Sequence, residues 1–198
     1  MNKLFVITSN PGKLLEIQEK FKPLAIQVIQ KNIGYPEIQA DTLEEVAEFG
    51  VKWLQKRVRY PFILEDSGLF IDKLKGFPGV YSKSVFYTIG LPGVLKLLKD
   101  TEKNQRTAVF RSVIALCEPK KKPVLFLGEC KGNINETIQG TNGFGYDPIF
   151  IPLGETRTFA QMTTSEKNQY SHRGKSLENL IKIIQKKRKK EVRKFIVF

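Results

Sequence analysis

The chain has 198 residues, of which 41% are hydrophobic, and its formal net charge is +13 at pH 7. This hydrophobic content supports a buried core and argues against intrinsic disorder. No apolar run approaches the roughly 18 residues of a membrane-spanning helix, and the first residues lack the pattern of a secretory signal. Two cysteines, Cys117 and Cys130, are too few for a disulfide framework or a common zinc site. We therefore expect one cytoplasmic domain over residues 1–198, without membrane contact.

The elements predicted first along the chain alternate between strands and helices. A buried strand is predicted at residues 3–8, followed by a helix at about 14–21 with Glu16 and Glu19 on its outer face. A second strand is predicted at 24–30. The alternation favours an α/β core.

The second helix has a clear beginning, because Thr42 and Glu45 form a capping box ahead of an amphipathic run. A buried strand follows at 62–64 and leads into the polar sequence EDSG. Asp66 is therefore expected just beyond the carboxyl end of this strand, where ligands bind in open α/β sheets.

The second half of the chain predicts an antiparallel hairpin, with strands at 107–118 and 124–131. A short helix is predicted at 93–100 and a strongly amphipathic one around 177–184. The tail EVRKFIVF fits either a helix or a strand. Together these elements predict a mixed sheet flanked by helices, in two lobes with a cleft between them.

The positive charge is concentrated in two runs, at residues 120–122 and 186–190. The first run falls at the predicted hairpin tip, and the second near the end of a predicted helix, where lysines are solvated and favour the helix dipole. A nucleic-acid partner would use such runs as well. We favour the solvated interpretation and expect no specific nucleic-acid partner.

The stretch TSNPGKLLE at residues 8–16 connects the first strand to the first helix, which is the usual place for a phosphate-binding turn. It lacks the P-loop pattern, because Lys13 is followed by Leu14 instead of a hydroxyl residue. The pattern alone leaves open whether this turn binds phosphate by another route or only connects two elements.

Carboxylates are the most promising catalytic groups. Asp66 and its neighbour Glu65 follow a buried strand, and Glu37 lies in a connection that would reach the same edge. Two carboxylates with phosphate oxygens completing the shell suit Mg²⁺. The alternative is that Asp66 caps a turn and that Glu37 is solvated.

Aromatic residues among glycines mark two loops, GFPGVYS at 76–82 and GTNGFGYDP at 140–148. Phe144 and Tyr146 could stack on a base, although such loops are also common without a ligand. Lys167 and Arg173 provide donors near a predicted helix start, suited to a phosphate or a carbonyl oxygen. Surface capping is the alternative for these residues.

Taken in order, several motifs make the chain resemble the inosine triphosphate pyrophosphatase family, whose substrates are non-standard purine nucleoside triphosphates. The motifs are T-x-N-x-x-K-x-x-E (Thr8, Asn10, Lys13, Glu16), PEIQA, LEDSG, GFPGVYS, GFGYDP and TSEKN…SHR. The sequence YSKS at 81–84 replaces the YSAR type of bacterial members, so the likeness is greater to archaeal forms. Lys83 is a candidate substitute for the missing arginine.

The resemblance implies hydrolysis of ITP, dITP and XTP to the monophosphate and pyrophosphate, in an Mg²⁺-dependent, cytoplasmic homodimer. It implies the elongated, two-lobed α/β fold of Maf/Ham1-like proteins. The runner-up enzyme is a Maf-like pyrophosphatase, against which GFGYDP and SHR argue. A nucleic-acid-binding protein and a family member that only binds nucleotides are the remaining alternatives.

The resemblance also implies a role for each motif residue. Glu37 and Asp66 would hold the metal ion, and Asp66 would accept a proton from the attacking water. Because a metal-bound carboxylate is a poor base, the alternative is that the metal activates the water while Asp66 positions it. The residues expected to bind substrate are Thr8, Ser9, Asn10, Pro11, Gly12, Lys13, Lys52, Ser67, Phe144, Gly145, Tyr146, Asp147, Lys167, His172 and Arg173.

Overall fold

The computed structural model describes residues 2–195, with side chains described as far as residue 189. The strands are β1 (Lys3–Ile7), β2 (Gln27–Lys31), β3 (Phe62–Ile71), β4 (Pro78–Gly79), β5 (Thr107–Cys117), β6 (Val124–Ile134) and β7 (Phe150–Pro152). The helices are α1 (Pro11–Phe21), α2 (Leu43–Gln55), α3 (Ser82–Thr88), α4 (Gly90–Leu97), α5 (Thr164–Tyr170) and α6 (His172–Phe195). Within the described residues, no helix combines the length and apolar character needed to cross a membrane.

The strands form one open, mixed sheet in the order β2-β1-β3-β5-β6-β7, and the short strand β4 pairs with β3. β1 runs parallel to both β2 and β3, and its pairing with β3 ends at Ile7 opposite Leu64. The remaining pairs are antiparallel. The predicted mixed sheet flanked by helices is confirmed.

Helix α2 covers one face of the parallel half of the sheet. It begins with the predicted capping box, in which Thr42 Oγ1 accepts from the Glu45 amide at 3.2 Å and the Glu45 carboxylate accepts from the Thr42 amide at 3.2 Å. Its buried side chains, among them Leu43 and Leu54, pack against Phe62 of β3. Burying each such side chain contributes about 1.5–3 kcal/mol.

On the opposite face of the sheet, α1 lies beside β2 and α6 lies over β5 and β6. Ile17 and Phe21 of α1 and Leu177 and Leu180 of α6 share a core cluster with Val6 of β1. A third cluster lies towards the other end of β3 and β5, beneath α4 and the loop that precedes α5, and it contains the residues Leu69, Val94, Phe110, Phe150 and Phe159.

Gly128 allows α6 to begin directly against β6. A Cβ atom at this position would collide with the carbonyl oxygen of His172 and with main-chain atoms of Ser176. Only glycine permits this approach of main chain to main chain. The approach fixes the first turn of α6, and Arg173 with it, on the sheet.

Several predicted boundaries differ from the structure. β2 begins at Gln27 instead of residue 24, because residues 22–24 form a 3₁₀ turn that ends at Ala25 with a φ of 50°. The helix predicted at 93–100 is α4, and α3 before it was not predicted. The tail continues α6 as far as Phe195, and residues 196–198 lie outside the described residues.

The most consequential difference concerns β3, which continues through the polar sequence EDSG to Ile71. Asp66 therefore lies inside a strand, opposite Val113 of β5, and the expectation that it follows the strand's end was wrong. It does lie just beyond the last β3 residue that pairs with the parallel strand β1.

Candidate active site

The turn between β1 and α1 is organised by its own side chains. Asn10 is the N-cap of α1, and its Oδ1 accepts from the Lys13 amide at 3.0 Å. Thr8 Oγ1 accepts from the Asn10 amide at 3.1 Å, and Pro11 occupies the first helical position. This arrangement aims the start of α1, the positive end of its dipole, at the side of the sheet where β1 ends.

Lys13 links this turn to the sheet. Its ammonium lies 2.9 Å from Glu65 Oε2 and donates to the Glu65 carbonyl oxygen at 3.2 Å. Glu65 is buried, and its Oε1 accepts from Ser112 Oγ at 2.7 Å. Burial alone would raise the pKa of Glu65, but the charges of Arg173 and Lys13 outweigh it and hold the pKa well below its ordinary value.

Arg173 is the centre of the site, although its side chain is only 1% exposed. Its Nη1 donates to Glu16 Oε2 at 2.5 Å, and its Nη2 donates to Ser67 Oγ at 3.0 Å and lies 3.1 Å from Glu65 Oε1. Burial lowers the pKa of the guanidinium, but Glu65 and Glu16 more than compensate and raise it above its ordinary value. Arg173 is therefore a permanent buried cation between two carboxylates.

Lys167 extends the network from Glu16 towards the glycine-aromatic loop. Its ammonium donates to Glu16 Oε1 at 2.6 Å and to Asp147 Oδ2 at 2.5 Å, and all three side chains are buried. The same Asp147 oxygen accepts from the Phe144 amide at 2.8 Å. Burial raises the pKa of Asp147, and Lys167 opposes the shift.

Cations and carboxylates thus alternate along one buried line, which we call the charge chain. Its members are Lys13, Glu65, Arg173, Glu16, Lys167 and Asp147. The charge chain joins the turn before α1 to the GFGYDP loop through β3, α6 and α5.

Glu16 was expected on the outer face of α1, and that expectation was wrong, since its side chain is 4% exposed. Burial raises the pKa of Glu16, but the charges of Arg173 and Lys167 outweigh it and hold the pKa below its ordinary value. The signal that pointed to it was the motif spacing, which places Lys13 and Glu16 three residues apart and therefore on the same helix face.

Asp66 faces away from the charge chain, because consecutive side chains of a strand point to opposite faces. Burial raises the pKa of its carboxyl to about 6, with Lys13 opposing the shift and the charges of Glu65 and Glu37 adding to it. Burial, together with the charges of Asp66 and Glu37, also raises the pKa of the Tyr35 hydroxyl. The charges of Glu37 and Asp66 therefore both act on Tyr35, and the assignment of a metal ion to these two carboxylates stays a prediction.

These two carboxylates fit an open site for a hard divalent cation. Burial, with smaller contributions from the charges of Glu65 and Glu37, raises the pKa of Asp66, and a bound cation would oppose this effect. Among the described residues, no group of three or more His, Cys, Asp or Glu side chains forms a closed metal cage, so the remaining ligands would be substrate oxygens and water. Glu37 Oε1 now accepts from Lys83 Nζ at 2.7 Å, and both side chains are exposed.

Phe144 lies where the charge chain meets the turn before α1. Its ring packs directly on Gly12, so a Cβ atom there would collide with it. Lys167 Nζ lies 4.8 Å and Arg173 Cζ 5.5 Å from the ring centroid. Gly145, with a φ of +62°, allows the loop to turn sharply after this ring.

Other predicted site residues have less direct positions. Tyr146 is buried, donates to the Ser82 carbonyl oxygen at 2.8 Å and so anchors the loop to α3. His172 is buried and stacks on Phe110 with ring centroids 4.6 Å apart, and burial and Arg173 lower its pKa well below the ordinary value. Lys52 is 69% exposed and lies 3.4 Å from Glu48. Ser9 is exposed in the turn before α1.

Comparison with known proteins gives a consistent result. A model of the Ham1 family matches residues 4–183. The dITP/XTP pyrophosphatase of Thermococcus kodakarensis is 57% identical over 88% of this chain and 93% of its own, and that of Pyrococcus horikoshii is 52% identical over 89% and 93%. The structure of a HAM1 protein from Coxiella burnetii superposes with a TM-score of 0.79 and 33% identity, covering 94% of this chain and 100% of that one.

Replacing Glu16 by Gln tests the charge chain. Glu16→Gln removes the anion between two buried cations, and breaking a buried pair in this way costs about 3–5 kcal/mol of the free energy of unfolding. Glu19→Gln, the same change on the same helix at a partly exposed position, should stay within about 0.5 kcal/mol of wild type. Urea unfolding measures both, and equal losses in the two variants would contradict the account.

Proposed function

This chain belongs to the Ham1 family, and we propose that it hydrolyses non-standard purine nucleoside triphosphates (ITP, dITP and XTP) to the monophosphate and pyrophosphate. The observation that carries the proposal is the charge chain, which ties the turn carrying Lys13 to the loop carrying Phe144. A nucleoside triphosphate has phosphates at one end and a base at the other. The charge chain connects a cationic turn, which suits the phosphates, to an aromatic ring, which suits the base.

The turn before α1 would hold the triphosphate without a P-loop. Lys13 supplies a cation, the start of α1 supplies the positive end of its dipole, and the hydroxyl of Thr8 supplies a donor. Ser9 of the same turn, Gly12 in the first turn of α1 and Ser67 of β3 are further proposed contacts. Lys52 is proposed to reach the phosphates from α2, for which its largely exposed side chain is free to move.

Enzymes that cleave nucleoside triphosphates generally use a divalent metal ion, and we propose Mg²⁺ held by Glu37 and Asp66. When bound there, the ion would neutralise phosphate charge and acidify water. The chain's own contribution is to hold the Asp66 carboxylate on β3, where the charge of Lys13 and the amide of Ser67 favour its ionised form. From there an Asp66 oxygen can orient the attacking water, which the ion would acidify.

The base would stack on Phe144, and Arg173 would read its 6-oxo group. The Nε–H of Arg173 is buried and has no acceptor among the described residues. A 6-oxo purine offers an acceptor at this point, whereas adenine offers an amino donor. An unpaired buried donor costs about 1–3 kcal/mol, so a few such contacts would discriminate against ATP. Lys167 and His172 are proposed to support the same readout.

The homodimer, the two lobes with a cleft and the cytoplasmic location are also proposals. The division of the core into clusters at the two ends of the sheet supports the two lobes. Exposed apolar side chains on and around α3 and α4, such as Tyr87 at 78% and Leu97 at 52%, support a partner surface. The Maf-like alternative has lost its support, because the family model that matches is that of Ham1.

Replacing Asp66 by Asn tests the proposed chemistry. Asp66→Asn keeps the shape of the side chain but removes its charge, and turnover of ITP should fall by about 10²–10⁴-fold, the usual contribution of such a group. Pyrophosphate release measures the rate. The exposed Asp100→Asn serves as the control and should retain wild-type turnover. Full activity in Asp66→Asn would refute the assignment.

Replacing Phe144 by Ala tests base stacking. Stacking of a base on an aromatic ring is worth about 1–3 kcal/mol, so Phe144→Ala should raise KM for ITP about ten-fold or more, with a smaller effect on kcat. Leu153→Ala removes an apolar side chain that is 70% exposed and lies outside α3 and α4, and it should leave KM unchanged. An unchanged KM in Phe144→Ala would rule out stacking at this position.

A further inference from the structure

Three basic segments of the chain meet at the end of the sheet opposite the active site. They are residues 56–59 after α2, residues 120–122 at the tip of the β5–β6 hairpin and residues 186–189 in α6. Their exposed cations, which we call the basic pole, are Lys56, Arg57, Arg59, Lys120, Lys121, Lys122, Lys186, Lys187 and Lys189.

Specific contacts bring these segments together. Gln55 at the end of α2 donates from Nε2 to the Lys121 carbonyl oxygen at 2.9 Å. From the other side, Lys187 Nζ donates to Glu118 Oε2 at 3.0 Å, and Lys121 Nζ donates to the same oxygen at 2.9 Å. The hairpin tip is therefore held between α2 and α6. Glu118 is the one acidic residue within 56–59, 118–122 and 186–189, so the positive charge is largely unbalanced.

The basic pole is too far from the active site to serve the substrate. Arg173 and Lys186 both belong to α6, and a rise of 1.5 Å per residue separates them by about 20 Å along the helix axis. At physiological ionic strength, exposed charges at this distance are screened, because the Debye length is about 8 Å. A ligand of the basic pole would therefore be distinct from the substrate.

The chemistry of the basic pole favours a long hydrophilic polyanion. Its three segments expose no large apolar side chain, since Val58 is 6% exposed and every other residue in them is Lys or Arg. A membrane surface is held by inserted apolar side chains as well as by charge. Lysines outnumber arginines here, and lysine acts as a point charge towards phosphate without the bidentate geometry that reads bases.

We propose that the basic pole binds the phosphate backbone of nucleic acid, independently of sequence. Ions are released from the nucleic acid when such contacts form, so affinity falls steeply with salt. This is an interaction beyond triphosphate hydrolysis, and it leaves the active site free to turn over substrate.

The test compares two variants of equal net charge. Lys56→Gln/Lys122→Gln/Lys186→Gln removes one cation from each segment of the basic pole. Lys73→Gln/Lys103→Gln/Lys131→Gln removes three exposed cations that lie outside the basic pole and outside α3 and α4. Fluorescence anisotropy of a labelled 20-base-pair duplex of mixed sequence is measured with the full chain between about 50 and 200 mM KCl, the range over which such contacts respond.

Wild-type protein should bind with a linear dependence of log K on log salt, with a slope of about −0.9 for each phosphate contacted. The variant in the basic pole should lose about three units of that slope and at least about ten-fold in affinity. The control should match wild type, and ITP turnover should be unchanged in both. Equal weakening in both variants, absence of binding by wild type, or binding only to phosphatidylserine vesicles would each overturn the proposal.

Discussion

The buried guanidinium of Arg173 is the group on which the site depends. A charge in a protein interior is costly unless it is paired and hydrogen-bonded, and removing one partner leaves the other uncompensated. Arg173 is satisfied only when Glu16 of α1 and Glu65 of β3 reach it together. Three elements from distant parts of the sequence are therefore held in one arrangement. The close approach of α6 to β6 at Gly128 places the guanidinium where this is possible.

The same arrangement separates two kinds of carboxylate on adjacent residues. Glu65 points into the charge chain, where Arg173 and Lys13 keep it ionised, and it serves as structure. Asp66 points to the opposite face, towards Tyr35 and Glu37, where no protein cation is paired with it closely enough to offset its burial. Because side chains alternate between the two faces of a strand, Glu65 stabilises the fold and Asp66 is available for the proposed chemistry.

Much of the framework follows from the sequence, because local signals and packing agree there. The capping box of α2 and the β5–β6 hairpin were both predicted from sequence patterns, whereas the N-cap at Asn10 was not. The predictions from sequence were wrong where polar residues are buried. The polar run EDSG suggested the end of a strand, yet β3 continues because Glu65 finds its partners in α1 and α6. Glu16 looked solvated because its cations lie more than 150 residues away. Ion pairs between residues so far apart in the sequence produce no periodic pattern, so only the motif resemblance pointed to the role of Glu16.

³¹P NMR of the purified protein with ITP, XTP, GTP and ATP in turn, with and without Mg²⁺, tests the central claim most directly. The account predicts monophosphate and pyrophosphate from ITP and XTP in the presence of Mg²⁺, and far slower turnover of ATP and GTP. Orthophosphate and a nucleoside diphosphate would place the attack at the γ-phosphorus and contradict the proposed reaction. Equal turnover of ATP would contradict the reading of the 6-oxo group by Arg173.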